Sequence, residues 1–156
     1  MFVKVLNKKE TKKFKIMLQK LFSPANWSAN ASDWASLILR LTLGLLMLNH
    51  GVPKLMNFMS GNMEFGDPIG IGVPASLALT VFAEFLCSIL IAIGLWTRLA
   101  LIPLIITMLV AVFIVHKNDG MAEMEHGLMY LLSYCALFLL GSGNYSIDAF
   151  LKRKAV

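Results

Sequence analysis

Apolar positions gather into four long runs, from about Trp34 to Met56, Pro74 to Ile93, Arg98 to Val115 and Met121 to Leu140, divided by short polar stretches. A helix of about 20 residues crosses the hydrocarbon core of a bilayer, so each run predicts a transmembrane helix. At 3.6 residues per turn, Arg40, Gly44, Met47, Gly51 and Lys54 share one face of the first run, and its two glycines would let another helix approach closely. In the second run Thr80, Glu84, Cys87 and Ser88 share a side. Ser32 or Asp33 is placed to cap the first helix, and Pro53 predicts a kink around Asn49 to Pro53. Residues 57–73, with four glycines and a proline, predict an irregular loop before Pro74 opens the second helix. The GLWTR stretch reads as a short turn, Pro103 as a bend, and Gly141 as the end of the fourth helix. Ser146 would cap a short interfacial helix ending in Lys152, Arg153 and Lys154.

The N-terminal segment is different. It has seven lysines in its first twenty residues and lacks the apolar core of a cleavable signal, so it is expected to be retained. Phe14, Met17, Leu18 and Leu21 recur at helical spacing among those lysines, the pattern of a basic amphipathic helix on a membrane surface; a lysine-rich tail without regular structure is the alternative. Trp27 and Trp34 suit a headgroup-level aromatic belt. The expected organisation is therefore a basic segment over 1–33, a helical membrane domain over 34–150 and a basic tail over 151–156.

Composition strengthens the membrane reading: 58% of the residues are hydrophobic and the mean hydropathy is +0.72. The formal charge of +5 sits mainly at the two ends of the chain, where it suits anionic headgroups and makes nucleic acid an unexpected partner. Eleven of the fourteen basic residues fall in the two tails or the turn at Arg98, which predicts that both termini are cytoplasmic. The fold class expected is all-α: an integral membrane four-helix bundle, up-down-up-down, in contact with the lipid bilayer. Cys87 and Cys135 lie within apolar runs with no C-x-x-C and are expected to be buried, inert thiols.

Glu84 carries the chemistry. A charge at the centre of a membrane helix costs about 2.5 to 3.5 kcal/mol, so such a group faces a partner inside the bundle. At 1.5 Å per residue Glu84 lies about 21 Å above Arg98, His50 about 24 Å above Trp34 and Arg40 only about 9 Å above it. Arg40 is thus expected to snorkel to the headgroups, while His50 is nearly level with Glu84 and Lys54 is the next nearest. The pairing expected is Glu84 against His50 and Lys54, as the floor of a headgroup or proton site, or as a structural hydrogen bond with no further role.

Four pieces in order carry a resemblance: R-x-x-x-G at Arg40 and Gly44, N-H-G-x-x-K at Asn49 to Lys54, Glu84 followed by G-L-x-T-R at Gly94 to Arg98, and G-x-G-x-x-S-x-D at Gly141 to Asp148. Over about residues 34–150 the chain resembles the DoxX family. That resemblance implies a small multi-pass protein of a bacterial plasma membrane, with Arg40, Arg98 and Asp148 as structural polar residues. It also implies membership of a membrane oxidoreductase system, as a quinone-facing or anchoring subunit beside redox-complex partners. A non-catalytic membrane scaffold, assembly factor or carrier is the alternative. No cysteine pair, haem motif or nucleotide loop would let the chain do redox chemistry alone. A quinone needs hydrogen-bond donors beside an apolar channel; His50, Lys54, His116, His126 and Tyr130 could supply them, with Glu84. The bland alternative is that His116, Lys117, Glu125 and His126 are polar because they lie near a membrane surface. A metal held by His50, His116, Glu125 and His126 is a minor alternative without a ligand-spacing motif.

Overall fold

The computed structural model describes residues 9–14 and 29–154, and all regular structure among them is helical. Residues 9–14 are helical; Met17, Leu18, Leu21 and Trp27, and with them most of the expected basic amphipathic helix, lie outside the described residues. Helix α1 spans Ala29–Ser60, α2 Val73–Ile93, α3 Thr97–Val115, α4 Met121–Leu140 and α5 Ile147–Lys154. Of these, α1, α2 and α3 are long and apolar enough to cross a membrane. Glu123, Glu125 and His126 make the first two turns of α4 more polar.

Two boundaries differ from expectation. Helix α1 is already formed at Ala29, so Asp33 is a helical residue and not its cap, and its buried carboxylate accepts hydrogen bonds from the Asn144 amide (2.9 Å) and side chain (2.7 Å). The helix also runs through Pro53 to Ser60, since a membrane helix tolerates the lost backbone bond when its neighbours satisfy the freed groups. Elsewhere the local signals act as read: Pro74 lies in the first turn of α2, Gly141 ends α4 at φ 83°, and the Ser146 hydroxyl accepts from the Ala149 amide at 3.1 Å.

Helix α1 packs along the whole of α2, and α3 packs on α4. Gly44 lies against Ser88 and Ala92 while Gly51 lies against Glu84, so α1 and α2 run antiparallel. Arg98 reaches Phe138 and Gly127 faces Val112, giving the same sense to α3 and α4. The interior is built from Met47, Ile91, Leu101, Leu104, Tyr134 and Leu137. Outward faces remain strongly apolar, as at Leu139, 80% exposed, which is the surface that meets lipid. Cys87 is buried, but Cys135 is exposed, correcting the expectation for that thiol: it lies on the outer face of α4, opposite the inward Tyr134 and Leu137.

Both α2 and α3 contain a π-helical segment, Phe82–Cys87 and Ala111–Val115. Such wide turns occur mostly as local insertions and are frequent at functional sites. The first is pressed against α1, where a Cβ on Gly51 would collide with the Glu84 carbonyl and the Phe85 amide nitrogen. Because those are backbone atoms, they cannot swing aside as a side chain could. Gly51→Ala is therefore expected to destabilise the protein by about 1 to 3 kcal/mol as overpacking between the helices. A lower midpoint in a detergent melting curve checks this; an unchanged midpoint would mean the helices separate without cost.

Candidate functional site

Polar residues collect at the two ends of the α1–α2 interface. At the end remote from the tails, Lys54 Nζ donates to both oxygens of Glu84 at 2.6 Å. The carboxylate side chain is 4% exposed and the lysine 31%, so the pair is sunk in the protein with its cationic member at the rim. Two features of the sequence produce this placement. Lys54 lies three residues beyond Gly51 on the inward face, and Glu84 lies inside the π turn that Gly51 admits. Phe65, from the loop after α1, has its ring centroid 5.9 Å from the lysine nitrogen and covers it by a cation–π contact.

The pair forms one wall of a cavity of about 180 Å³ that is also lined by His50, His116, Glu123, His126 and Tyr130. All three histidines of the chain thus meet at one place, from α1, the end of α3 and α4. Edge-to-face contact with Tyr130 at 6.2 Å orients the His50 ring, and Tyr130 in turn stacks on buried Tyr134 at 5.8 Å. His116 Nδ1 lies 2.7 Å from an Asp119 oxygen, which fixes that ring as well. Both π segments reach the cavity, through Glu84 and through Ala111. Of the two partners considered for Glu84, Lys54 makes the direct bond and His50 stands on the same cavity wall. Among the described residues no three His, Cys, Asp or Glu side chains converge to hold a metal ion; exposed Glu125 lies off the cavity and Glu123 on it.

A second cavity adjoins the first. About 460 Å³ of apolar groove runs between α1 and α4 along Ile38, Leu39, Leu43, Leu46 and Met129, and it shares His126 and Tyr130 with the polar cavity. That a polar chamber and a lateral apolar groove share a wall is not readable from helical periodicity, because it depends on how α1 and α4 meet.

The opposite end is a closed polar knot, and it corrects the reading of Arg40. Arg40 is wholly buried and does not snorkel: Nη1 donates to the carbonyls of Ile91 (3.5 Å) and Ala92 (3.4 Å), and Nη2 to that of Tyr145 (2.6 Å). The last carbonyls of a helix lack their usual intrahelical donors; the Gly94 amide serves Ile91, and the guanidinium adds to it, supplies Ala92 and ties the end of α2 to the C-terminal segment. Gly94 terminates α2 at φ 73°, where a side chain would strike the Arg40 guanidinium. Asp148 accepts from the Trp96 amide (2.7 Å), the Thr97 amide (3.1 Å) and the Thr97 hydroxyl (3.0 Å), supplying the acceptor that the start of α3 requires. Ser36 Oγ donates to the Gly141 carbonyl at 2.7 Å. Ser36 and Asp33, two of the knot's members, carry no motif; their only signal is that polar side chains recur on the inward face of α1.

Outside the helices, Asp67 organises the loop before α2. Its carboxylate accepts from the Ser76 hydroxyl at 2.7 Å and from the Gly72 and Ile71 amides, and these bonds, the Ser76 one foremost, hold its pKa below the usual carboxylate value. A depressed folded pKa stabilises above the unfolded value, near 4, and that contribution is lost as pH falls through the folded value. Amide exchange at Ile71 and Gly72 is therefore expected to stay protected from pH 7 to about 4 and to lose protection below it, with Asp67→Ala unprotected throughout. Protection that persists in the alanine variant would remove Asp67 from this role.

The DoxX family model matches residues 35–117. An uncharacterized membrane protein of Mycobacterium tuberculosis is 30% identical over 143 residues, covering 75% of this chain and 81% of its own length. No solved structure matches.

Proposed function

The chain belongs to the DoxX family of membrane proteins, and from that premise we propose that it is a quinone-binding, quinone-facing subunit of a membrane oxidoreductase system. The observation that carries this reading is that the polar cavity at Lys54 and Glu84 lies beside the apolar groove between α1 and α4, with His126 and Tyr130 as their common wall. An isoprenoid quinone has that chemistry, a small ring with two carbonyl acceptors on a long apolar tail. A cavity of about 150 Å³ already accommodates a benzene ring, so 180 Å³ suffices for one headgroup. When bound, a quinone supplies two-electron redox chemistry, with the electrons coming from a partner subunit.

The chain's own residues bind and orient. Lysine has three N–H donors, and Lys54 directs donors at both Glu84 oxygens, leaving one for a carbonyl acceptor in the cavity. Tyr130 or an imidazole N–H of His50 or His126 is placed to meet a second acceptor. The Glu84 carboxylate holds the Lys54 ammonium in place at 2.6 Å and offers Oε1 and Oε2 as proton acceptors. Leu39, Leu43 and Leu46 exclude water from the tail. Purification in mild detergent, lipid extraction and ultraviolet absorbance test the reading, with co-purifying subunits identified in the same sample. Stoichiometric quinone supports it, and none in freshly extracted protein refutes it. The second reading, a non-catalytic membrane scaffold, assembly factor or carrier, draws support from Lys54 and Glu84 satisfying one another without a ligand.

The proposed setting is a bacterial plasma membrane. In it α1 to α4 cross as an up-down-up-down bundle over residues 34–150, flanked by basic cytoplasmic segments at 1–33 and 151–156. Charge supports this: eleven of the fourteen basic residues lie in the tails or the turn at Arg98. A reporter active only in the cytoplasm is expected to work when fused after Val156, and a periplasmic signal there would reverse the orientation.

A further inference from the structure

We infer that the knot end of the protein carries a separate site for an anionic phospholipid, with its phosphate at Arg98 and one acyl chain in the groove between α2 and α3. This site is independent of any quinone at the opposite end. A cavity of about 450 Å³ is lined by Trp96, Thr97, Arg98, Gly141, Ser142 and Asp148. Arg98 is exposed; Nε donates to the Phe138 carbonyl at 3.2 Å, which anchors the guanidinium against the end of α4 and leaves the terminal nitrogens for another acceptor. Gly141 borders the guanidinium, at ordinary contact distance from it. Asp148 also lines the cavity, but three of its about four acceptor positions are taken by the Trp96 amide and the Thr97 amide and hydroxyl, which commits the carboxylate to the start of α3, whereas Ser142→Glu would add one with no such partners.

The occupant is a lipid and not a free anion because an apolar groove borders the cavity. About 440 Å³ lies along Phe82, Leu86, Leu90, Leu99, Ile102 and Pro103, and Trp96 and Leu99 belong to both spaces. Trp96 marks the junction. It is the only non-glycine residue with positive φ (47°) among the described residues, a conformation that is costly for a bulky side chain, and it leaves the indole 63% exposed. An indole at that point sits where headgroup meets acyl chain, the level that tryptophan favours in membranes. Charge selects the headgroup: Lys152, Arg153 and Lys154 end α5 at the same pole, where Asp148 joins α5 to the α2–α3 turn through its amide bond to Gly94. Such a cluster attracts anionic lipid at a membrane surface.

Full-length protein, delipidated in mild detergent and titrated with phosphatidylglycerol or phosphatidylcholine, can be read by native mass spectrometry. One phosphatidylglycerol retained per chain is expected, with about a tenfold preference over phosphatidylcholine, whose phosphate can also accept from Arg98 but whose choline cation is repelled by Arg98 and the basic end of α5. Arg98→Gln should abolish the preference. Since that change also removes the bond to Phe138, Ser142→Glu is the companion variant: it keeps Arg98 and its bond, puts a carboxylate in the headgroup space and should abolish the preference too. Leu86→Trp, which narrows the groove and leaves the cation untouched, should weaken retention several-fold. Equal retention of the two lipids by the unaltered protein, or a preference that survives Ser142→Glu, overturns the site. Displacement by excess inorganic phosphate with no effect of Leu86→Trp would assign it to a free anion and overturn the lipid.

Discussion

Arg40→Lys is expected to yield little or no folded protein. The guanidinium is fully buried and holds three carbonyls, from Ile91, Ala92 and Tyr145, that no other side chain reaches. A planar fork can address acceptors in two directions at once, whereas an ammonium on a flexible stem is a single point with a stronger hydration to lose on burial. The Ile91 carbonyl keeps the Gly94 amide as a donor, so the acceptors at stake are those of Ala92 and Tyr145; at about 1 to 3 kcal/mol for each buried acceptor left without a donor, losing both removes about 2 to 6 kcal/mol. Domains hold only about 5 to 15 kcal/mol in total, which makes this a large fraction. Arg40→Met should fare no better, as it removes every donor. The measurement is the monodisperse fraction of detergent-extracted protein by fluorescence-detected gel filtration, with the melting midpoint of what survives. A lysine variant with an unchanged midpoint would show that the carbonyls are satisfied another way and would return Arg40 to a headgroup anchor.

The second large effect concerns Lys54 and Glu84, and here the expected signature is a double-mutant cycle. Glu84→Leu should destabilise by about 2 to 3 kcal/mol, because it strands a partly buried ammonium; the figure is set below the 3 to 5 kcal/mol of a fully buried pair, since Lys54 keeps 31% of its side chain exposed. Lys54→Met should cost less, because an isolated carboxyl group can take up a proton and become neutral. The double variant Lys54→Met with Glu84→Leu should recover most of the loss, since replacing a buried pair by apolar groups of similar size is often neutral. Recovered stability with lost quinone retention would separate binding from folding. Glu84→Gln isolates the proton: it retains shape and a hydrogen-bond acceptor but cannot ionise, so quinone should still bind while any proton-linked turnover fails. Full turnover in that variant would leave Glu84 a structural residue. Additive single effects in the cycle would mean that the two groups do not interact despite their 2.6 Å separation.

Much of this site was legible before any coordinates. The face bearing Arg40, Gly44, Met47, Gly51 and Lys54 is the face that α1 turns inward, and Glu84, Cys87 and Ser88 are all buried on α2. Periodicity suffices there, because a regular helix fixes which residues share a side. Depth arithmetic brought Glu84 to the level of His50 and Lys54 but ranked His50 first. The actual order follows from the π turn at Phe82–Cys87, which has no reliable local signature, and from the continuation of α1 past Pro53 to Ser60. Arg40 was misread for a related reason. Nine ångströms of depth is compatible with a snorkelling chain, and what pulls the guanidinium inward is a set of carbonyls 51, 52 and 105 residues away in the chain.

By itself the sequence determined the helical class, the apolar lengths, the inward faces, the ends at Gly94 and Gly141 and the basic tails, since each depends on residues within a few turns of one another. Only the tertiary structure decided that Lys54 and not His50 closes on Glu84, that Asp33 holds Asn144 and Asp148 holds the start of α3, and that three histidines from three helices share a cavity with a groove beside it. Those outcomes turn on axial register and on how closely two backbones approach. Both are set by packing at Gly44 and Gly51, where one methyl group added to either residue would push the helices apart.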